Sequence, residues 1–162
     1  MLIIYLVSVF ESLLQDGTNL ILDINFKKFS TSDTMQLSYS EIFNEFDIEG
    51  IKDKVIEKEL LKIAYKSIKD QLFALDKDYN FKFIELDNNS SDLKFLIEIF
   101  QYRNILLHNK GIINQTFIDN TDFPKHTLGD YFPINEDYIS ESIIQIKHLG
   151  DKLLLSLQEK YL

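Results

Sequence analysis

Apolar residues recur every three or four positions along most of this chain, a spacing that turns one stripe of a helix toward a core and predicts an all-α fold. Ile3, Leu6, Val7, Phe10, Leu13 and Leu14 mark a first helix over residues 2–15, ending at Asp16-Gly17. Ile51, Val55, Ile56, Leu60, Ile63, Ala64, Ile68, Leu72 and Leu75 mark a second, from Ile51 to Leu75, with lysines and glutamates on the other face. A third is predicted from Asp92 to Asn109. Asp87-Asn88-Asn89-Ser90-Ser91 supplies its candidate caps and Gly111 its stop. The last begins near Asn135, where Glu136 and Asp137 suit the helix dipole, and runs to the C-terminus through Ile139, Ile143, Ile146, Leu149, Leu153 and Leu157.

The expected architecture is a helical bundle of four main helices in a single domain, 1–162. One long loop-rich insertion separates helices 1 and 2, and another separates helices 3 and 4. In the first, Leu20-Ile21-Leu22, Phe26 and Phe29 are apolar and Ser and Thr crowd positions 30–34; a short helix capped by Ser40 is expected near 40–46. Residues 81–86 alternate weakly, as an extended connector does, and residues 110–134, which hold both prolines, are expected to be loop.

Composition narrows the chemistry. The 45% apolar and 13% aromatic content is that of a globular protein. With no cysteine there is no disulfide, thiolate metal site or thiol nucleophile, which suits a reducing cytoplasm. The opening MLIIYLVSVF is apolar for only ten residues before Glu11, whereas a spanning helix needs about 20. It also lacks the basic front and small-residue cleavage site of a secretory signal, so it reads as a core helix and the expected location is cytoplasmic. The net charge of −9 opposes a broad nucleic-acid-binding face, so any polyanion must be met by a local patch. Histidines at 108, 126 and 148 are too scattered for a metal motif, and glycines stand singly, with no phosphate-cradling loop; no metal or cofactor is expected. His126 and His148 read as surface residues.

Arg103 is the one arginine among 17 basic residues; every other is lysine. A chain rich in Lys, Ile and Asn is what an AT-rich genome encodes, which explains why arginine is absent elsewhere but not why it is present here. At ~100° per residue, Arg103 falls within a stripe of Leu96, Ile99, Phe100, Leu106 and Leu107. Lys94, Glu98, Gln101, Asn104 and His108 lie on the opposite side. A guanidinium in an apolar stripe needs a partner, water or another chain. One reading is a structural ion pair with Glu11 or Glu59. Arg103 and His108 stand ~140° apart on a regular helix, so they cannot converge on one phosphate from a single straight helix unless it bends or a second copy contributes.

The segment IEIFQYRNILLHNKGIIN resembles the signature of the HEPN domains, helical bundles with an R-x4-6-H motif and a polar residue directly after the arginine. Here Arg103 is followed by Asn104, three aliphatic residues, and His108-Asn109. The likeness extends to FESLL in the first helix, KSIKDQL in the second, and LGDYFPINEDYISESI leading the last. These segments resemble bacterial HEPN proteins of abortive-infection and toxin–antitoxin systems. Relatives often carry a second basic residue before the motif arginine; this chain has Tyr102.

The resemblance implies a homodimer whose motif helices line one cleft, and metal-independent endoribonuclease activity by a toxin or phage-defence effector. By the same resemblance, His108 exchanges protons with the ribose 2′-OH or the leaving 5′-oxygen, and Arg103 holds the scissile phosphate. Asn104 orients the imidazole or bonds the phosphate, and Asn109 and Lys110 contact the substrate backbone. The partners so implied are an RNA substrate, a second copy through the motif helix, and an antitoxin or nucleotidyltransferase; neither DNA nor a membrane is expected. The alternative is a non-catalytic HEPN-like module that binds a nucleotide or a protein.

Overall fold

Every regular element among the described residues is helical. The computed structural model describes residues 1–29, 37–45, 47–87, 89–121 and 127–161. In chain order they form α1 (Leu2–Ile24), α2 (Phe26–Phe29), α3 (Tyr39–Asn44), α4 (Ile48–Ala64), α5 (Ile68–Tyr79), α6 (Ser91–Asn109), α7 (Gln115–Asn120) and α8 (Glu136–Tyr161). No described helix is long and apolar enough to cross a membrane. The Ser/Thr-rich positions 30–34 and His126 lie outside the described residues.

Four boundaries differ from the sequence-based expectation, each for a local reason. α1 does not stop at Asp16-Gly17 but continues to Ile24. A glycine inside a helix costs about 1 kcal/mol. That is outweighed by burying Ile21 and Leu22, both at 0% exposure, at about 1.5–3 kcal/mol each.

The expected single helix from Ile51 to Leu75 is two helices broken at Tyr65–Ser67. Ser67 leaves the helical region (φ −59°, ψ 155°) and caps α5, its hydroxyl accepting from the Asp70 N–H and donating to the Asp70 carboxylate at 2.7 Å. The Gln71 amide donates to the carbonyls of Ala64 and Lys66, satisfying the end of α4. The apolar period runs through this break unchanged, which is why it is invisible to periodicity.

The short helix α3 is capped by Ser38, not Ser40, in a reciprocal capping box with Glu41. α7 occupies part of the expected 110–134 loop. Asn114 accepts from the Phe117 N–H at 2.8 Å, and Phe117 is fully buried.

The described chain divides into two compact units: Met1–Leu14 with Lys82–Lys160, and Gln15–Phe81 with Tyr161. In the second, Lys58 pairs with Glu41 at 2.7 Å and the Tyr79 hydroxyl donates to Glu59 at 3.2 Å, joining α3, α4 and α5. In the first, Ile3, Val7, Phe10 and Leu14 form the buried face of α1, and Phe10 meets Phe100 edge-on at 6.4 Å. Gly150 of α8 lets α1 approach closely: a Cβ there would lie 3.3 Å from Leu13 Cδ2. α8 buries Ile146, Leu149, Leu153 and Leu157 as expected, whereas Ile143 is 41% exposed.

Glu98 departs from its expected place on the polar face of α6. It is 8% exposed and accepts a hydrogen bond from the Tyr138 hydroxyl of α8 at 3.2 Å. Burial pushes its carboxyl above the usual carboxylate range and Glu141 adds to the rise, while the Tyr138 hydrogen bond opposes it. An acid with a raised folded-state pKa gives its full stabilisation below the unfolded value, near ~4.3, and loses it as pH climbs through the folded value. Glu98→Gln keeps the acceptor for Tyr138 and removes the charge. It is therefore expected to raise the Tm near pH 8 and to change it little near pH 4. Thermal melts across that range check this; a Tm difference that does not grow with pH contradicts it.

Candidate functional site

α6 is fastened at both ends. At its start, Ser90 accepts from the Leu93 N–H, and Asp92 pairs with Lys152 of α8 at 2.5 Å. At its end, Lys110 and Gly111 take left-handed conformations (φ 54° and 79°), and both N–H groups donate to the Ile105 carbonyl. Gly111 therefore stops the helix as the sequence predicts, with Lys110 sharing the turn.

The chain after α6 is then tied to the segment that leads into α8. Ile113 N–H donates to the Asp130 carbonyl at 2.8 Å, Gly129 N–H to Ile113 at 2.9 Å, and Phe132 N–H to Gly111 at 3.0 Å. An isolated antiparallel bridge joins Ile112 and Tyr131. Phe132 stacks on Tyr102 at 4.1 Å and meets Phe117 and Tyr138 edge-on. Tyr102, at 2% exposure, is a core residue. The position directly before Arg103 is thus closed to charge by aromatic packing.

The buried face of α6 is accordingly rotated from the expected stripe. Leu96, Ile99 and Phe100 are buried as predicted, but Tyr102 and Ile105 join them, while Leu107 is 49% exposed. The aromatic cluster covers the Tyr102 side of the helix end, and Leu107 faces outward.

Arg103 sits at the edge of this open region, its side chain 25% exposed. Its Nη2 meets Glu11 Oε2 of α1 at 2.8 Å, and its Nη1 donates to Asn104 Oδ1 at 3.2 Å. No described residue accepts from the buried Nε. Of the two glutamates weighed as its partner, Glu11 is the one in contact; Glu59 binds Lys62 and Tyr79. The contact to Glu11 is a single one, not the two-point fork that saturates a guanidinium. One N–H on each of Nη1 and Nη2 is left over, while the unmet Nε is buried.

The His108 imidazole is exposed and makes no hydrogen bond to a described residue. The Asn104 amide oxygen accepts a hydrogen bond from Arg103 Nη1. The Asn109 amide donates to the Ile112 carbonyl at 2.7 Å, so it serves the helix-terminal turn, while Lys110 is exposed. α6 is one uninterrupted helix. Within one chain, then, Arg103 and Asn104 are brought together and Arg103 and His108 are not, their directions differing by ~140°.

Among the described residues no group of three or more histidines or carboxylates is placed to hold a metal ion. His148 is exposed on α8. Sequence reasoning missed the Glu98–Tyr138 contact; the signal available was an acidic residue flanked on α6 by positions that are all apolar, Ile97 and Ile99.

No protein-family model matches this chain, and comparison with curated proteins and with solved structures also finds no match.

Proposed function

We propose that this protein is a metal-independent endoribonuclease of the HEPN type, acting in the cytoplasm as a toxin or phage-defence effector. On this reading the four long helical stretches, α1, α4 with α5, α6 and α8, correspond to the four main helices of such a domain. The observation that carries the proposal is the end of α6. A lone arginine is held there by Glu11 and Asn104, with N–H donors on its terminal nitrogens to spare, about one turn from exposed Leu107 and His108.

A second copy pairing through α6 would supply what one chain lacks. Leu107 gives the contact an apolar rim, and each Arg103 would meet the partner's motif across a two-fold axis. Arg103 then binds the scissile phosphate with its free donors and stabilises charge on the equatorial oxygens. Asn104 holds the guanidinium plane through Nη1, a positioning role. His108 takes the proton from the 2′-OH or gives one to the leaving 5′-oxygen, as an exposed imidazole with an acceptor and a donor nitrogen can. Lys110, exposed just beyond the helix, contacts the RNA backbone. Glu11 competes with the phosphate for Arg103 and keeps the guanidinium oriented when no RNA is bound. An antitoxin or nucleotidyltransferase is the partner expected to restrain such an activity.

One observation favours a second reading, a non-catalytic HEPN-like module that binds a nucleotide or a protein. The Arg103–Glu11 pair is a complete ion pair without any ligand, and the Asn109 amide is occupied by the turn. Incubation of the purified protein with single-stranded RNA and with DNA of the same sequence, both in EDTA, separates the two. Cleavage of RNA alone, undiminished by the chelator, is the expected result. An absolute need for magnesium, or cleavage of DNA, contradicts the ribonuclease reading, and no cleavage of either favours the binding module.

A further inference from the structure

α8 turns a second face outward, opposite the one that it buries. Ile143, Ile144, Leu154 and Leu155 are 41%, 67%, 46% and 56% exposed, an apolar load that a solvated helix face does not need. Between the two apolar pairs lie Lys147 and Asp151, joined at 2.8 Å and themselves largely exposed.

The arrangement is symmetric about the height of Leu149. Ile143 and Leu155 stand six residues either side of it, Ile144 and Leu154 five, and Lys147 and Asp151 two. At ~100° per residue the same pairs also fall at equal angles either side of the middle of the face. A two-fold axis lying between two such faces, perpendicular to α8 at the height of Leu149, therefore sets apolar against apolar and the base against the acid.

We infer that this face binds the same face of a second copy of this chain, with the two α8 helices antiparallel. Ile143 and Ile144 then pack against the partner's Leu154 and Leu155, and Lys147 meets the partner's Asp151, each contact occurring twice, as an isologous interface requires. The charges select this arrangement. Antiparallel pairing in register builds a ring of alternating charge from two lysines and two aspartates. Parallel pairing sets lysine against lysine and aspartate against aspartate. A polar pair at the centre of an apolar seam fixes register and polarity in this way. Within one helix, a base preceding an acid by four residues is the weaker order with respect to the helix dipole, so exchange of partners across the axis costs little. The contact uses α8 rather than α6 and does not depend on the ribonuclease reading.

The chain has no cysteine, so single thiols report the contact cleanly. Full-length Ile144→Cys and Leu154→Cys proteins are mixed and treated with a short bis-maleimide. Opposed positions are adjacent in the antiparallel pair, whereas two copies of residue 144 are separated by about 15 Å along the axis. Cross-linked dimer is expected from the mixture and not from either protein alone. Lys147→Glu in both proteins should reduce the cross-link by roughly tenfold or more, because like charges then face each other. The exchanged pair Lys147→Asp with Asp151→Lys should restore it. A mixture that cross-links no better than the single proteins, or a yield indifferent to these charges, overturns the inference. Neither result bears on RNA cleavage, which is measured separately on the same proteins.

Discussion

His108→Ala is expected to lower RNA cleavage by about 10²–10⁴-fold, the usual cost of removing a general acid–base, while leaving the Tm close to that of the wild type. The second half of the expectation follows from placement: the imidazole is exposed and has no hydrogen-bond partner among the described residues, so nothing in the fold rests on it. Arg103→Lys is the companion. A lysine can still reach Glu11 as a point charge, but it loses the planar fork and the bond to Asn104. If Arg103 binds phosphate, cleavage falls by about 10²-fold or more, the effect of losing one transition-state donor, and the fold persists. If Arg103 is a structural ion pair alone, the Tm falls and cleavage does not. Single-turnover rates beside thermal melts of both variants decide. Wild-type rates from both would end the enzyme reading.

Tyr102→Ala is expected to destabilise the protein by about 3–5 kcal/mol, as removal of a large buried aromatic does. The ring is 2% exposed, stacks on Phe132 at 4.1 Å and meets Tyr138 edge-on at 5.9 Å. Its loss leaves a cavity between α6 and the segment entering α8. The end of α6 depends on that same segment for the hydrogen bonds of Gly111 and Ile113. The motif should therefore lose order together with global stability, and cleavage should fall only as the folded fraction falls. Urea denaturation followed by circular dichroism gives the figure. A loss below about 1 kcal/mol would show that the ring is not a core element.

The long helices were legible because apolar spacing survives in each of them, and α6 and α8 fall within a residue or so of their expected starts. Boundaries set by single side chains were not. The break at Tyr65–Ser67 depends on one serine hydroxyl and the Gln71 amide, while the apolar stripe continues in phase on both sides. The continuation of α1 through Gly17 depends on burial further along, which outweighs the local stop signal.

For the candidate site, the sequence identified Arg103 as needing a partner and named Glu11 as one of two. The choice between Glu11 and Glu59 required the fold, since both are acidic residues on helices with apolar faces. The burial of Tyr102 and Glu98 was hidden for a related reason. A helix covered on more than one side does not follow a single-stripe wheel, and the second covering layer comes from Phe132 and Tyr138, distant in sequence.

The central claim is that the attacking nucleophile belongs to the RNA and that the protein supplies Arg103 and His108 around it but no nucleophile of its own. Mass spectrometry of the products of a short oligoribonucleotide, cut in the presence of EDTA, tests this most directly. The account predicts a 2′,3′-cyclic phosphate on one fragment and a 5′-hydroxyl on the other, and no cleavage where the scissile nucleotide carries a 2′-deoxy sugar. A 3′-hydroxyl with a 5′-phosphate, or cleavage at the deoxy position, would show that water attacks instead and would contradict it.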